Sequence, residues 1–453
     1  MMVLKPHSAT KQEALSVKKV SHGLDRVKVV FDEPSLVANA GLILVATLVS
    51  GLGLETLINT TVKMKGRVGG AWPGRKVLSL VNAIVAGATH INHADVLRCG
   101  GTESVLSHQA MAPSTLGTFL RACTFGHVRQ LEAVIGTTLT RAWAAGAGPG
   151  LNRLVVDIDS TICQVAGKLK AGAAYGYTKV LGYHPILATR ADTGEVLHAR
   201  MRTGSANTQR GTKRFVEELV ARVRRAGAGG EIVMRFDSGY WSNETIEVLG
   251  RLNVRYTMAV RTNTNALARA IADIDEKAWV DIAYPVGGKA QVAECIYNKR
   301  RLVVRRTRLT GAAQAALWPN WRHFAFLTDL GGGTADTDAF HRRHAVVELT
   351  IKDLKEGAGL EHIPSGNFSA NGAWLCCAVL AHNLIRWTTT LGQSHPVDRL
   401  TVARTVRTHL IAVPARLVNK AGTMVLRGPA HWPWAQLFIR RLERLRALSF
   451  APG

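Results

Sequence analysis

The chain has no Cys-x2-Cys pair, and its six cysteines (Cys99, Cys123, Cys163, Cys295, Cys376 and Cys377) show no zinc-type spacing with one another or with histidine. That argues against a zinc-ribbon or zinc-finger scaffold and fits buried thiols in a reducing compartment without a structural metal. Residues 1–30 lack the apolar stretch of a cleavable signal and are polar and basic, so no secretory route is expected. Acids are scarce, at 32 Asp plus Glu against 57 Lys plus Arg, which leaves a formal charge of +25. Such an excess points to a polyanionic partner, nucleic acid or an anionic membrane surface. An uninterrupted membrane span is also missing. The longest apolar run, Leu36 to Leu54, approaches the ~20 residues a span requires. It is broken by Asn39, Thr47, Ser50 and three glycines and has no basic cluster closely flanking it. A buried helix is expected there, and no membrane partner. Internal repeats and low-complexity tracts are absent apart from small glycine clusters.

What is present divides the 453 residues into regions of different period. The length suits roughly two to four domains of ~100–200 residues each. Residues 1–30 read as a basic flexible arm ending in a strand-like VKVVFD at 27–32. Residues 31–148 carry helical spacing, as in RKVLSLVNAIVAG, in TLGTFLRAC behind an expected Ser114 N-cap, and in HVRQLEAVIGTTLTRAWAAG. Several short helices in so basic a chain resemble a helix-turn-helix region, so this part is the expected DNA-binding region, a plain helical bundle being the alternative. AGAGPG at 145–150 marks a boundary. The pattern then becomes β-β-β-α-β-α-β through RLVVDID, GYHPILATR, EVLHARMR, a helix over 205–227, EIVMRFD, NETIEVLGRL and VRYTMAV. Residues 266–335 are strand-rich and basic (QVAECIY, RLVVRRTRL, HFAFLTD). A helix is expected through HAVVELTIKDLKEG in 336–370, and residues 371–453 read as helical, ending in an amphipathic FIRRLERLRAL.

The chemistry-bearing residues sit at three places. RLVVDIDST places Asp157 and Asp159 at the tip of an apolar strand, and RFDSGYWS places Asp237 just past another. If these strands are adjacent and parallel, Asp159 and Asp237 face one crevice, where open α/β sheets put their sites. A turn or helix-cap role is the plain alternative for either aspartate alone. His341, His344, Glu348 and Lys355 follow at spacings of 3, 4 and 7 along one helical stripe, with Val346, Val347, Leu349, Ile351 and Leu354 as packing surface around it. A solvated face with a Glu348–Lys352 pair is the alternative there. Taken together, three acids on strand, strand and helix make a hard oxygen set for Mg²⁺ or Mn²⁺. Two such ions ~3.5–4 Å apart clamp a phosphodiester with no protein nucleophile.

DIDST alone also resembles the haloacid-dehalogenase signature, but the later Asp-Asp or Gly-Asp-x3-Asp motif of such phosphatases is missing and the charge goes unexplained. The strand order, DIDST, RFDSGYW and HRRHAVVELTIKDLKEGAGLEHIPS resemble insertion-sequence DDE transposases of the bacterial cut-and-paste group whose last catalytic helix carries Tyr-x2-Arg-x3-Glu-x6-Lys. The resemblance covers about residues 30–450 and is strongest over 153–385.

It implies a ribonuclease-H-like α/β core (149–265, completed by 336–370) interrupted by a β-rich insertion (266–335), with helical N- and C-terminal regions. It implies Asp159, Asp237 and Glu348 as the catalytic, metal-binding triad for two Mg²⁺ ions, which Mn²⁺ can replace. Asp157 is the rival for the first position, but the family's aspartate tends to precede Ser/Thr, as Asp159 does. Lys355 falls on the signature lysine that contacts the DNA backbone. The signature tyrosine and arginine fall on His341 and His344, a departure that implies phosphate contacts either weaker there or supplied by neighbouring Arg342 and Arg343. The partners implied are double-stranded DNA, as terminal inverted repeats and target, and a second copy of the chain in the DNA complex; the location implied is the bacterial cytoplasm, at the nucleoid. In group members that cut through a hairpin, the insertion supplies an aromatic that stacks on a flipped base. WPNWRHFAFLTDL offers Trp318 and Trp321, and Trp321 lies at a plausible distance before Glu348; a core anchor is the alternative. A DNA-binding relative that no longer catalyses remains the other reading of the family.

Overall fold

The computed structural model describes residues 27–64, 66–176, 178–261, 264–284, 288–309, 321–393 and 400–450. Residues Met1–Pro34 and Ser35–Gly453 form separate compact units. Most of the expected basic arm, and Trp318, lie outside the described residues. Residues 27–32, expected to be strand-like, carry no strand, and Val27, Val29, Val30 and Phe31 are exposed. An alternating apolar segment needs a partner ladder, and none is paired with it among the described residues.

The larger unit opens with β1 (Leu36–Val37) and a run of helices, α1 (Leu42–Gly51), α2 (Leu54–Thr61), α3 (Pro73–Ala86), α4 (Pro113–Ala122) and α5 (Phe125–Ala142). The apolar run at 36–54 is no single rod: α1 and α2 meet at 57°, broken by Gly53 in the left-handed region, and α1 is buried. Helix α3 takes Pro73 into its first turn and stops at Gly87, whose φ of 109° suits glycine alone. Helix α4 also begins on a proline, so Ser114 lies just inside it and Ala112 occupies the expected cap position.

After residue 150 the chain builds β2 (Leu154–Ser160), the short β3 (Cys163–Gln164), β4 (Ala174–Tyr175) and β5 (Leu181–Tyr183), then β6 (Ile186–Arg190), β7 (Val196–Arg200), α6 (Thr212–Arg225), β8 (Ile232–Phe236), α7 (Asn243–Arg251) and β9 (Arg255–Val260). α8 (Asn265–Ala272), β10 (Val280–Ile282), β11 (Gly288–Tyr297), β12 (Arg300–Leu309) and β13 (Arg322–Thr328) follow, then α9 (Thr334–Arg342) and α10 (Val346–Lys352). One nine-stranded sheet runs in the order β10-β11-β12-β13-β9-β8-β2-β6-β7. Strands β2, β8 and β9 are parallel neighbours, while β6, β7 and β10–β13 join antiparallel. The strand-rich stretch expected as an inserted subdomain therefore has no sheet of its own. It extends the central sheet, because β13 pairs with β9 from Ala325↔Val260 to Thr328↔Thr257. Helix α6 shows why a basic chain still folds: Phe215, Val216, Leu219, Val220 and Val223 form a buried stripe, while Lys213, Arg214 and Arg224 stay outside.

The C-terminal region holds α11 (Phe368–Thr390), a hairpin of β14 (Ala415–Lys420) and β15 (Thr423–Arg427), and α12 (Ala435–Ala447). The hairpin corrects the expectation of a wholly helical tail. Ala421 and Gly422 both adopt positive φ, the geometry a tight two-residue turn demands, and β14 pairs with β1. Helix α11 is long and apolar enough to cross a bilayer, yet it is buried on all sides against α3, α4, α5 and β7. Asn367 caps it by accepting from the Ser369 and Ala370 N–H groups.

Candidate active site

Strands β2 and β8 pair in register from Leu154↔Ile232 to Ile158↔Phe236, so the next residue on each strand is an aspartate. Asp159 and Asp237 thus stand side by side at the carboxyl ends of parallel strands, with neighbouring strands ~4.8 Å apart. Asp159 Oδ1 accepts from the Ser160 N–H at 2.6 Å, and Asp237 Oδ1 from the Gly239 N–H at 2.7 Å. The latter contact caps a short 3₁₀ turn and ties down an otherwise exposed carboxylate.

Glu348 arrives from α10. It lines a cavity of about 280 Å³ with Asp159, Ser160, Thr161, Lys352, Lys355 and others. Its alternative partner, Lys352, pairs instead with Glu356 at 3.9 Å. Burial pushes the Asp159 carboxyl up to about 6, the Ser160 N–H opposes this, and the charges of Asp237 and Glu348 add to it while His344 counters them. Asp159 therefore feels the charge of both other acids. Asp237 lines a different cavity, of about 780 Å³, with Thr208, Gln209, Trp241 and Arg261.

The helix before Glu348 is not continuous as expected. It tightens into a 3₁₀ turn at Arg343–Ala345 and ends in a wider turn at Asp353–Gly357. Arg235 Nη1 donates to the Phe340 carbonyl at 2.9 Å, competing for the acceptor that an unbroken α-helix would offer the residue 344 N–H. Past Glu348, Asp353 accepts from Arg386 Nη2 at 2.7 Å and from the Ala403 N–H at 2.8 Å, fixing the far end.

The stripe predicted to meet DNA is split by the fold. His341 turns inward: its ring stacks on Phe326 at 4.2 Å and its Nδ1 lies 2.7 Å from Thr257 Oγ1. Burial, and then neighbouring positive groups, push its imidazole down to about 3. His344 Nδ1 bonds to Asp157 Oδ1 at 2.8 Å. Arg342 and Arg343 are exposed, the former paired with Asp338 at 2.8 Å. Lys355 reaches the cavity of Asp159 and Glu348. Trp321 has the guanidinium carbons of Arg306 and Arg308 each 4.6 Å from its ring centre.

Asp157, the rival first acid, is 1% exposed, and both its oxygens are bonded to Arg235. That leaves it neither a free ligand nor the accessible nucleophile that a dehalogenase reading requires. Arg235 went unremarked in the sequence, although an arginine inside the apolar strand EIVMRFD was the available signal.

One further set of donors has metal-like spacing, Glu132, His198 and Glu218. Arginines already occupy it: Arg200 Nη2 lies 3.1 Å from Glu132 and 2.5 Å from Glu218, and Arg129 and Arg214 pair there as well. Its local charge is satisfied by guanidinium groups and does not call for a cation. The Asp159, Asp237 and Glu348 set differs: no arginine is paired with these carboxylates among the described ion pairs, and as a set of carboxylate oxygens it fits a hard divalent ion.

Fold and site together define an α/β protein whose acids gather where two parallel strands end. Over residues 20–450 the chain matches the family described as Transposase DDE domain group 1, and it belongs to that family. It is accordingly a DDE transposase, an enzyme acting on DNA, and DDE transposases use divalent metal ions. No curated protein matches it. Among solved structures it is similar to piggyBac transposase, in a cryo-EM structure of the synaptic complex with hairpin DNA. The identity is 12%, the match covers 83% of this chain and 80% of that one, and the TM-score is 0.43.

Proposed function

We propose that this transposase cuts DNA at the ends of an insertion sequence and joins the freed 3′-hydroxyl to target DNA, with Asp159, Asp237 and Glu348 as its metal-binding catalytic triad. The observation that carries the reading is the meeting of these acids from β2, β8 and α10 in one mutually repelling cluster. The core is read as ribonuclease-H-like. Strands β2, β6, β7, β8 and β9 stand in the order β9-β8-β2-β6-β7, with β6 alone antiparallel to its neighbours on both sides, and this supports the assignment. β10–β13 are the inserted part and the helices before residue 148 the DNA-binding region.

When bound, two Mg²⁺ ions, or Mn²⁺ in their place, activate the attacking hydroxyl and stabilise the leaving oxygen. The chain's own part is to hold and orient. Asp159 and Asp237 project from a rigid parallel ladder, and Glu348 is fixed from both ends of its helix. Lys355 sets a positive charge at the same cavity, and Arg342, Arg343 and His344 stand before it, where a DNA backbone would pass. His341 serves by packing α9 against the sheet. Water cuts one strand at each end, and the 3′-hydroxyl attacks next, first on the opposite strand where a hairpin route is taken and finally on target DNA. Trp321, in the insertion, is assigned to stacking on a displaced base in that hairpin route. Two copies pair the two ends, at the nucleoid in the bacterial cytoplasm.

The test is to incubate the purified protein with duplex DNA from the flanks of its own gene, with and without Mg²⁺. Metal-dependent nicking at a fixed position is expected. Binding without any cutting would reduce the protein to an inactive relative.

A further inference from the structure

Asp157 and Asp159 are two residues apart on β2 and so lie on one face of the sheet. Their surroundings differ completely. Arg235 Nε donates to Asp157 Oδ1 at 2.6 Å and Nη2 to Oδ2 at 2.7 Å, a two-pronged pair with side chains 3% and 1% exposed. The remaining guanidinium nitrogen, Nη1, donates to the Phe340 carbonyl, and the guanidinium carbon lies 5.1 Å from the Phe340 ring centre. Asp157 Oδ1 takes a third partner, His344 Nδ1, at 2.8 Å. One buried acid thus joins β2, β8 and the segment leading to Glu348.

This arrangement is hard to account for by stability alone. β2 and β8 are already joined by a parallel ladder. A buried ion pair carries a desolvation cost that often makes an apolar pair of similar volume as good or better. What the charges add is direction. An ionised carboxylate only accepts, so Nδ1 of His344 must carry the proton, and Nε2 is left for another partner. The field of His344 at Asp159 puts the imidazole beside the acid cluster. It precedes Glu348 by about one helical turn and sits in the middle of the 3₁₀ turn Arg343–Ala345, where Arg235 takes the Phe340 carbonyl that a continuous α-helix would offer the residue 344 N–H.

We propose that Asp157 and Arg235 are positioning residues: they hold His344 by Nδ1 so that its Nε2 contacts the scissile DNA strand beside Asp159, and they fix the turn that leads into the helix carrying Glu348. The inference rests on the transposase reading above. It also gives the histidine at the signature arginine position a specific support, a carboxylate that sets the ring where a guanidinium would otherwise reach by its own length.

The test compares wild type, Asp157→Asn, His344→Ala, the double variant D157N/H344A, and D157L/R235L, in which an apolar pair replaces the ion pair and keeps the fold if Asp157→Asn does not. Each is measured for melting temperature, binding to its end DNA and single-turnover cleavage. ¹⁵N-histidine spectra, with His344→Ala for assignment, report the tautomer of residue 344. Outer-shell support of this kind is worth ~10–100-fold. D157L/R235L is expected to melt near wild type, bind DNA normally, lose the fixed Nδ1–H signature and cut ~10–100-fold more slowly. D157N/H344A should be no slower than His344→Ala alone. Full-rate cutting by D157L/R235L, multiplying losses in the double variant, or an unchanged His344 tautomer overturns the inference and leaves the transposase reading standing. A wild type that neither binds nor cuts end DNA removes both.

Discussion

Lys355 Nζ donates to the Ile162 carbonyl at 3.2 Å, joining the end of the Glu348 helix to the chain just beyond the tip of β2. An ammonium group has three protons and this bond uses one, and Lys355 lines the cavity shared with Asp159 and Glu348. The lysine is therefore anchored as well as charged.

Lys355→Ala should weaken end-DNA binding uniformly across sequences and lower the slope of log affinity against log salt by about one, as loss of a single phosphate contact does. Titrations at several salt concentrations measure both. Lys355→Arg should keep the slope but cut more slowly, since the longer planar fork cannot keep the Ile162 contact in the same place. An unchanged slope in the alanine variant would confine Lys355 to a structural tie.

Replacing Asp159, Asp237 or Glu348 by alanine should each take cleavage below detection while end-DNA binding survives, because on the proposed function the basic surface would hold DNA and the acids would hold metal. Asp237 and Glu348 are exposed, so their loss should leave the melting temperature nearly unchanged. Gel shift and nicking measured on the same preparations separate the two effects. Cutting retained in Asp237→Ala would remove that residue from the triad.

Much of this architecture is legible in the sequence where burial sets the pattern. β2, β8 and β9 are short apolar runs because a sheet covered on both sides demands them, and acids placed at their ends stand out for that reason. The role of Asp157 is not legible. Its partners Arg235 and His344 lie 78 and 187 residues away, and the Ser-Thr that follows Asp159 separates the two acids without showing what Asp157 does. The same holds for Glu195, which accepts from the indoles of Trp143 at 2.8 Å and Trp387 at 2.6 Å and ties the N-terminal helices, the sheet and α11 together. The hairpin at 415–427 was hidden for another reason: its strands are short and its two-residue turn is Ala-Gly, without the Asn-Gly or Asp-Gly pair that usually announces one.

Trp321 sits on β-rich chain where Arg306 is already committed, bonded to Glu276 at 2.8 and 2.7 Å and lying 4.1 Å from the Trp279 ring. Arg308, the other guanidinium over Trp321, is exposed and can swing to a phosphate, freeing ring surface for a base. Base stacking is worth ~1–3 kcal/mol. Trp321→Ala should therefore leave the first nick intact and deplete hairpin product by about tenfold or more. Denaturing gels resolve nick from hairpin. Equal loss of both, with a lower melting temperature, would show that Trp321 serves Arg306 as packing.

The last expectation follows from the carboxyl of Asp159, raised from its ordinary 3.8 to about 6 by burial and by the charges of Asp237 and Glu348. A folded-state value above the unfolded one means that ionisation costs more in the folded chain. The native state therefore loses stability from this group as pH climbs through about 4 to 6, and the loss is complete above that window. Asp159→Asn removes the titration while keeping the shape. In chelator, the variant and wild type should melt alike near pH 4, and the variant should melt higher at pH 7.5. Other groups titrate in both proteins, so the difference between the two curves isolates residue 159. Mg²⁺ at pH 7.5 should raise the wild-type melting temperature and close the gap, because a bound cation offsets the repulsion that ionised Asp159 creates. The same addition should do little for Asp159→Asn. Calorimetry across that pH range decides the matter: a gap that fails to open with rising pH, or that Mg²⁺ leaves untouched, would show that Asp159 is not the acid that metal relieves.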